Sequence, residues 1–337
     1  MGSTGDYLVW TPSLGTPCGI AEYATHLTSA AAALGHPARA VSGLDGMARP
    51  RTVHVQHEFA LYDDYQLERA IADIHNAGAA VVVTEHSVIE QAWAPADIHE
   101  GWHTDFLRPA KGWESQTDCL VALSQCGAAT LASRWPTKRV EHLIHGCPTW
   151  FPPRKRTRGR VLGVFGFLAP YKGVESVVNF LRADRQSQLL LISHPRDDGY
   201  QRRIEVALEG LPVRWIKEFG SEEEAAVLLA KEADVLVYWY DESNYQSTSG
   251  AVLTGLASGV PVITSASGMF ADVQSVTLQV TDLSAGINEL LDHDELRRDL
   301  AESAREYCTV NSWARTAARH VNLWDSVYAQ VRDAARS

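Results

Sequence analysis

The sequence contains no apolar run of the roughly 20 residues that a membrane-spanning helix needs. Its first residues enter an apparent strand, Tyr7–Trp10, without a signal-peptide pattern. These absences give the expectation of a cytoplasmic protein. Cysteine is scarce: Cys18, Cys119, Cys126, Cys147 and Cys308 are an odd number, and no two form a Cys-x-x-Cys pair. That argues against a disulfide framework and against a structural zinc site. Positive charge is in deficit, with 30 Lys and Arg against 41 Asp and Glu and a formal net charge of −11. General nucleic-acid binding needs a basic face to neutralise phosphates, so the balance argues against it. Low-complexity segments and the dinucleotide fingerprint G-x-G-x-x-G are also missing.

What is present is a soluble globular composition, 45% hydrophobic and 21% charged, in a chain of 337 residues, long enough to imply two domains. Short apolar strands at Val53 to Gln56, Ala79 to Thr84, Cys119 to Leu123 and Val140 to Ile144 alternate with helices starting near Asp63, Thr104 and Gln125. Such alternation implies a mostly parallel sheet covered on both faces. Ligands of such sheets bind beyond the C-terminal strand ends. The residues there are His57 and Glu58, Glu85 and His86, Ser124, and His145 with Gly146. One histidine alone reads as a structural hydrogen-bonding group; recurrence at three strand ends points to a shared cleft. Gly15 and Gly19 lie between the first strand and a helix stopped by Gly35, where a ligand could touch backbone amides. The stretch Ile89 to Ser115 carries Trp93, Trp102 and Trp113, whose faces suit ring-shaped polar ligands such as sugars. A loop covering the sheet edge fits that stretch equally. Glu58 and these three tryptophans are the candidate acceptor-binding residues.

After Pro152 and Pro153 comes a basic cluster, Arg154, Lys155, Arg156, Arg158 and Arg160, read as a solvated linker or, alternatively, as an anion- or membrane-facing patch. The alternation then restarts with strands at Val161 to Phe165, Leu189 to Ile192, Val213 to Ile216 and Val235 to Tyr238. Lys172 and Gly173 stand at a helix entry, where a compact cation could meet phosphate. The stretch Tyr240 to Ser265 combines a polar loop, a small-residue helix starting near Thr248 and the strand Val260 to Thr264. A helix start has unpaired N–H groups and partial positive charge, so Ser247, Thr248, Ser249 and Gly250 suit a diphosphate; an ordinary capped helix fits as well. Asp292 and Asp294 form a D-x-D at a polar helix junction and read as a solvated turn rather than a metal site. A final amphipathic helix spans Ser312 to Val331.

Eight segments agree in order with one family: GTPCGIAEYATHL, VHVQHEF, VVVTEHS, LIHGCP, VFGFLAPYKGVE, ADVLVYWY, GAVLTGLASGVPVITS and NSWARTAARHVNLWDSVY. Over nearly its whole length the chain resembles the retaining nucleotide-sugar glycosyltransferases of family 4. The resemblance implies an α/β GT-B fold of two facing Rossmann-like domains with parallel sheets. The corresponding spans are 1–150 for the acceptor, 151–160 as linker, 161–310 for the donor, and 311–337 as a helix returning to brace the first domain, with cleft closure about an interdomain hinge. It implies Gly15 and Gly19 near the donor phosphates, His86 against the transferred sugar, Lys172 at the diphosphate, and Ser249 with Gly250 as its amide donors. The partners implied are a nucleotide-sugar donor and a sugar-like or small-molecule acceptor, with no other cofactor and no metal. Base recognition falls near Phe219. Two departures stand out. The glutamates common in the family, touching donor sugar and ribose, are Gln246 and Thr254 here, and Phe167 stands where many members have a phosphate-binding arginine. Arg196 and Glu242 are the nearest substitutes. With those carboxylates missing, a nucleotide-sugar epimerase or coupling enzyme, or a non-catalytic sugar- or nucleotide-binding subunit, remain alternative readings of the same fold.

Overall fold

The computed structural model describes residues 7–44, 49–59, 61–89, 112–154, 159–195, 197–218, 221–241 and 245–336. The chain divides into two compact units, Met1–Gly146 with Asn244–Thr248 and Trp313–Ser337, and Cys147–Ser243 with Ser249–Ser312. Each unit is built on one six-stranded parallel sheet.

The first unit runs β1 (Tyr7–Trp10), α1 (Gly19–Ala33), β2 (Ala38–Val41), β3 (Thr52–His57), α2 (Asp64–Asn76), β4 (Ala80–Glu85), β5 (Val88–Ile89), α3 (Gly112–Gln116), β6 (Cys119–Ala122), α4 (Gln125–Arg134) and β7 (Arg139–His142). Its sheet order is β2-β1-β3-β4-β6-β7. Every residue of β3 and β4 is buried; in β4 this appears as the continuous apolar run Ala80 to Val83, whereas β3 buries Thr52, His54, Gln56 and His57 around its two valines. Helix α2 starts at Asp63, whose carboxylate accepts from Gln66 N–H, and buries Leu67, Ile71 and Ile74 on one face. Each such side chain contributes about 1.5–3 kcal/mol of burial. The helix expected near Thr104 lies outside the described residues.

The second unit runs β8 (Val161–Phe165), α5 (Val174–Ala183), β9 (Gln188–Ile192), α6 (Asp198–Leu208), β10 (Val213–Ile216), α7 (Glu222–Glu232) and β11 (Val235–Tyr238). After β12 (Tyr245–Gln246), which belongs to the first unit, follow α8 (Gly250–Ala257), β13 (Val262–Thr264), β14 (Leu278–Gln279), α9 (Leu283–Asp292) and α10 (Asp294–Val310). The sheet order is β10-β9-β8-β11-β13-β14. Arg160 pairs with Asp184 at 2.9 Å and Asn288 at 2.8 Å, and Arg154 reaches the Ala233 carbonyl, so these two members of the basic cluster serve the fold. Asp294 pairs with Arg297, and among the described residues no group of acidic, cysteine and histidine side chains is arranged to hold a metal ion.

The last helix, α11 (Trp313–Ala334), packs on α1 in the first unit. It buries Trp324 completely, and Asp325 accepts from the Tyr7 hydroxyl at 2.6 Å. Beneath it lies a layer of neutral histidines. His320 Nδ1–H donates to the Thr316 carbonyl, and its Nε2 accepts from Tyr23 at 3.2 Å. His54 Nδ1 accepts from the Trp324 indole, leaving Nε2–H to donate to Thr84 at 2.7 Å. Burial pushes His320 down to about 4, and burial with the neighbouring His320 and His86 holds His54 well below its ordinary value. The unfolded chain therefore takes up protons first as pH falls, and the stability these groups contribute is complete above about 6.5 and lost progressively below it. Each buried histidine withdraws up to about 1.4 kcal/mol per pH unit between its unfolded and folded values. Urea midpoints measured from pH 7.5 to 5 are expected to fall steeply below 6.5, with net proton uptake on unfolding; a flat profile would contradict this layer.

Candidate functional site

In parallel α/β sheets ligands sit where the strand order reverses. That point falls between β8 and β11 in the second unit and between β1 and β3 in the first. In the second unit the chain leaves β8 through Gly166 and makes a short 3-10 turn, Pro170–Lys172, with Pro pre-setting its first position. Gly173 ends the turn at φ 59°, and a Cβ there would lie 1.9 Å from the Trp239 carbonyl oxygen, just beyond β11. A second tie, Asp241 N–H to the Tyr171 carbonyl at 2.8 Å, fixes the same turn to the same segment. Gly173→Ala is expected to cost about 1–3 kcal/mol through backbone strain alone and to displace Lys172, lowering both the urea midpoint and diphosphate affinity.

Helix α8 is held on β11 by the Tyr238 hydroxyl, which donates to the Ala251 carbonyl at 2.8 Å; a Cβ at Gly255 would fall 2.5 Å from that hydroxyl. The first turn of α8 thereby reaches Gly166. A Cβ at Gly166, φ 125°, would lie 2.8 Å from Lys172 Nζ and 3.0 Å from the Ala251 Cβ. The bare glycine backbone is what lets an ammonium group and a helix N-terminus come together. The ammonium also stands 5.4 Å from the ring centre of Tyr240 and 5.9 Å from that of Tyr171. A cation, first-turn N–H groups and the positive end of a helix dipole are each groups whose chemistry suits an anion such as a diphosphate. Of the residues expected there, Lys172, Ser249 and Gly250 are brought together. Thr254 is not: it is wholly buried, and its hydroxyl donates back to the Gly250 carbonyl at 3.3 Å. Phe167 lies against His194, with ring centres 6.5 Å apart.

In the first unit, His86 follows β4 and is 8% exposed. Its Nε2 is 3.0 Å from the Gln56 side-chain oxygen, and the Tyr23 ring meets it edge-on at 5.0 Å. Burial, with smaller contributions from His145 and His57, pushes its pKa down to about 3, so the ring is neutral at physiological pH. Gln56, the penultimate residue of β3, is a candidate site residue that strand-end inspection passes over because it lies inside the strand rather than beyond its end. Its amide nitrogen is buried and makes no hydrogen bond within the described residues. Glu58 accepts from Ser87 at 2.8 Å and from Phe59 N–H at 3.1 Å, while burial raises its pKa. Gly15 and Gly19 flank the loop after β1, and a Cβ at either would meet nothing within 4 Å.

The segment after β11 also belongs here. Strand β12 pairs antiparallel with β5, placing Gln246 opposite Val88, and Thr130 on α4 donates to the Gln246 side-chain oxygen at 2.7 Å. Ser247 donates to the His86 carbonyl and Thr248 to the Leu123 carbonyl. These hydroxyl protons are therefore engaged on the first unit's strand ends. Trp113 differs from the expectation of an acceptor-facing ring: it is fully buried, donates to Asp64 at 3.2 Å and packs 4.4 Å from His57. Its short helix turns the indole into the core, as large aromatic area favours. Trp93, Trp102, Phe219, Arg196 and Glu242 lie outside the described residues.

Two parallel six-stranded sheets, each with its reversal of strand order, define an α/β protein of the GT-B fold. Among solved structures the chain is similar to HepE of Anabaena in complex with UDP and glucose, at 12% identity over 95% of this chain and 99% of that one, TM-score 0.72. It is also similar to sucrose-phosphate synthase from Thermosynechococcus elongatus, at 17% identity over 97% and 100%, TM-score 0.69. A third is a glycosyltransferase from Rickettsia africae, at 11% identity over 97% and 99%, TM-score 0.71. At these identities the likeness establishes the fold. No protein-family model and no curated protein matches the sequence.

Proposed function

We propose that this chain is a cytoplasmic, retaining glycosyltransferase that moves a sugar from a nucleoside-diphosphate sugar to a hydroxyl of a small molecule or saccharide. The observation carrying the reading is the convergence of Lys172 Nζ and the first turn of α8 over Gly166 at the strand-order reversal. The difficult event in such a transfer is departure of the diphosphate, on whose oxygens negative charge grows. Lys172 and the amides around Ser249 and Gly250 would stabilise that charge as preorganised donors. This assignment needs no metal, and the nucleotide sugar is a co-substrate rather than a resident cofactor. His86 and Gln246 are assigned contacts to the transferred sugar. A neutral His86 suits hydrogen bonding to hydroxyls, and a pKa pushed down to about 3 makes it too weak a base for proton transfer near pH 7. Retention follows if the acceptor attacks from the face the diphosphate leaves, a donor phosphate oxygen taking the acceptor proton. The UDP and UDP-glucose complexes of HepE support a nucleotide-sugar donor.

The test is turnover of nucleotide sugars with and without candidate acceptors, with the product's anomeric configuration read by NMR. Transfer with the donor's anomeric configuration kept is expected. Acceptor-free isomerisation would favour an epimerase, and binding without turnover a non-catalytic subunit.

A further inference from the structure

Helix α8 departs from the other described α-helices preceded by a serine or an aspartate. Ser124 and Ser221, each the residue before a helix, turn their hydroxyl oxygens onto their own first turns, accepting from Gly127 N–H and Glu224 N–H at 3.1 Å. Ser249 occupies the same position before α8 with the same extended backbone, yet its side chain makes no bond to its own helix. Its Oγ lies instead 2.9 Å from the Tyr240 hydroxyl, both groups buried. A serine cap satisfies one of the N–H groups that a helix start leaves open. At α8 the equivalent Val252 N–H is taken by the Ser249 carbonyl at 3.2 Å, so withholding the hydroxyl leaves Gly250 and Ala251 as the first-turn residues without a side-chain cap.

Tyr240 is fixed for this task. It is 3% exposed, and its carbonyl accepts from Ser265 Oγ at 2.6 Å. The rings of Tyr171 and Phe270 stand 5.6 and 4.7 Å from its own. The face of the same ring lies 5.4 Å from Lys172 Nζ, within the range of a cation–π attraction. One side chain thus touches both halves of the anion site: its hydroxyl holds Ser249 away from α8, and its ring supports the ammonium. Burial raises its pKa, so the hydroxyl stays protonated throughout the physiological range.

We infer that Tyr240 is a positioning residue that diverts Ser249 from capping α8 and so keeps the N–H groups of Gly250 and Ala251 open for a diphosphate. This rests on the proposed function only in naming the ligand. Removing the hydroxyl frees Ser249 to cap its own helix, which competes with the ligand while stabilising, or leaving unchanged, the fold. A merely structural tyrosine would behave in the opposite way, losing stability in proportion to affinity.

The test combines a crystal structure with titrations of inorganic pyrophosphate, which carries the shared chemistry of every nucleoside diphosphate. In Y240F, Ser249 Oγ is expected within about 3 Å of the Ala251 nitrogen. Pyrophosphate Kd is expected to rise about tenfold, roughly 1.4 kcal/mol, with a urea midpoint at or above that of the parent. In the S249A background, where no hydroxyl remains to cap the helix, Y240F is expected to change Kd less than about twofold. An unmoved Ser249 in the Y240F crystal, or an equal affinity loss in the S249A background, would overturn the inference. Were the parent chain to bind no pyrophosphate, the proposed function would fall, while the crystal structure would still decide the role of Tyr240.

Discussion

Lys172→Ala is expected to lower kcat about a hundredfold, roughly 2.7 kcal/mol, the size of effect that follows loss of one donor to developing charge. The fall in kcat should exceed the rise in KM, because charge on the leaving diphosphate is greater in the transition state than in the bound donor. The residual rate would come from the first-turn amides of α8. Lys172→Arg is not expected to rescue, because the position over Gly166 fits a compact ammonium: a Cβ on that glycine would already be 2.8 Å from Nζ. The side chain is only half-buried and the turn is fixed by backbone bonds, so stability should change little. Steady-state kinetics with urea midpoints measured alongside check this. Full activity in Lys172→Ala would remove the residue from the mechanism.

Glu114→Ala is expected to destabilise the first unit by about 3–5 kcal/mol, the cost of leaving a buried charge without its partner. Glu114 and Arg134 are 1% and 9% exposed and 2.7 Å apart. The second Glu114 oxygen accepts from the Trp135 indole, also at 2.7 Å, while Arg134 donates to the Ile89 carbonyl at 2.6 Å. Loss of the carboxylate therefore disturbs β5, the strand on which β12 and Gln246 are paired. Glu85 provides the contrast. Burial and the neighbouring Glu114 push its pKa well up, which favours the neutral carboxyl. An amide reproduces a neutral donor, and Glu85→Gln should leave stability within about 1 kcal/mol. Urea unfolding of both variants decides; a loss in Glu85→Gln as large as in Glu114→Ala would contradict a neutral Glu85.

Most of the fold was legible in the sequence because strands buried on both faces are largely apolar, as Ala80 to Val83 of β4 are. The six-stranded sheets were less so: β2 and β14 are edge strands with exposed or half-buried residues, which weaken the apolar signal. Lys172 and Gly173 could be singled out because turn chemistry and a cation coincide within a few residues. Tyr240 and Gln56 could not, since their roles depend on hydroxyl and amide contacts 9 and 30 residues away in sequence. The polar loop before α8 concealed a strand for the same reason. Tyr245 and Gln246 pair with Val88 and Ile89, a partnership that no local propensity records, and the helix accordingly starts at Gly250 rather than near Thr248. Trp113 was ambiguous by chemistry, since an indole suits a sugar face and a core alike.

The central claim is that the second unit binds the diphosphate of a nucleotide sugar through Lys172 and α8. A thermal-shift panel with about 1 mM UDP, GDP, ADP, CDP and dTDP, with and without EDTA, tests it most directly. A ligand at 100 times its Kd adds about 2.7 kcal/mol to the folded state. The account predicts selective stabilisation by one of these nucleotides, unaffected by EDTA and lost in Lys172→Ala. Stabilisation by none of them, or an equal shift in Lys172→Ala, would contradict it.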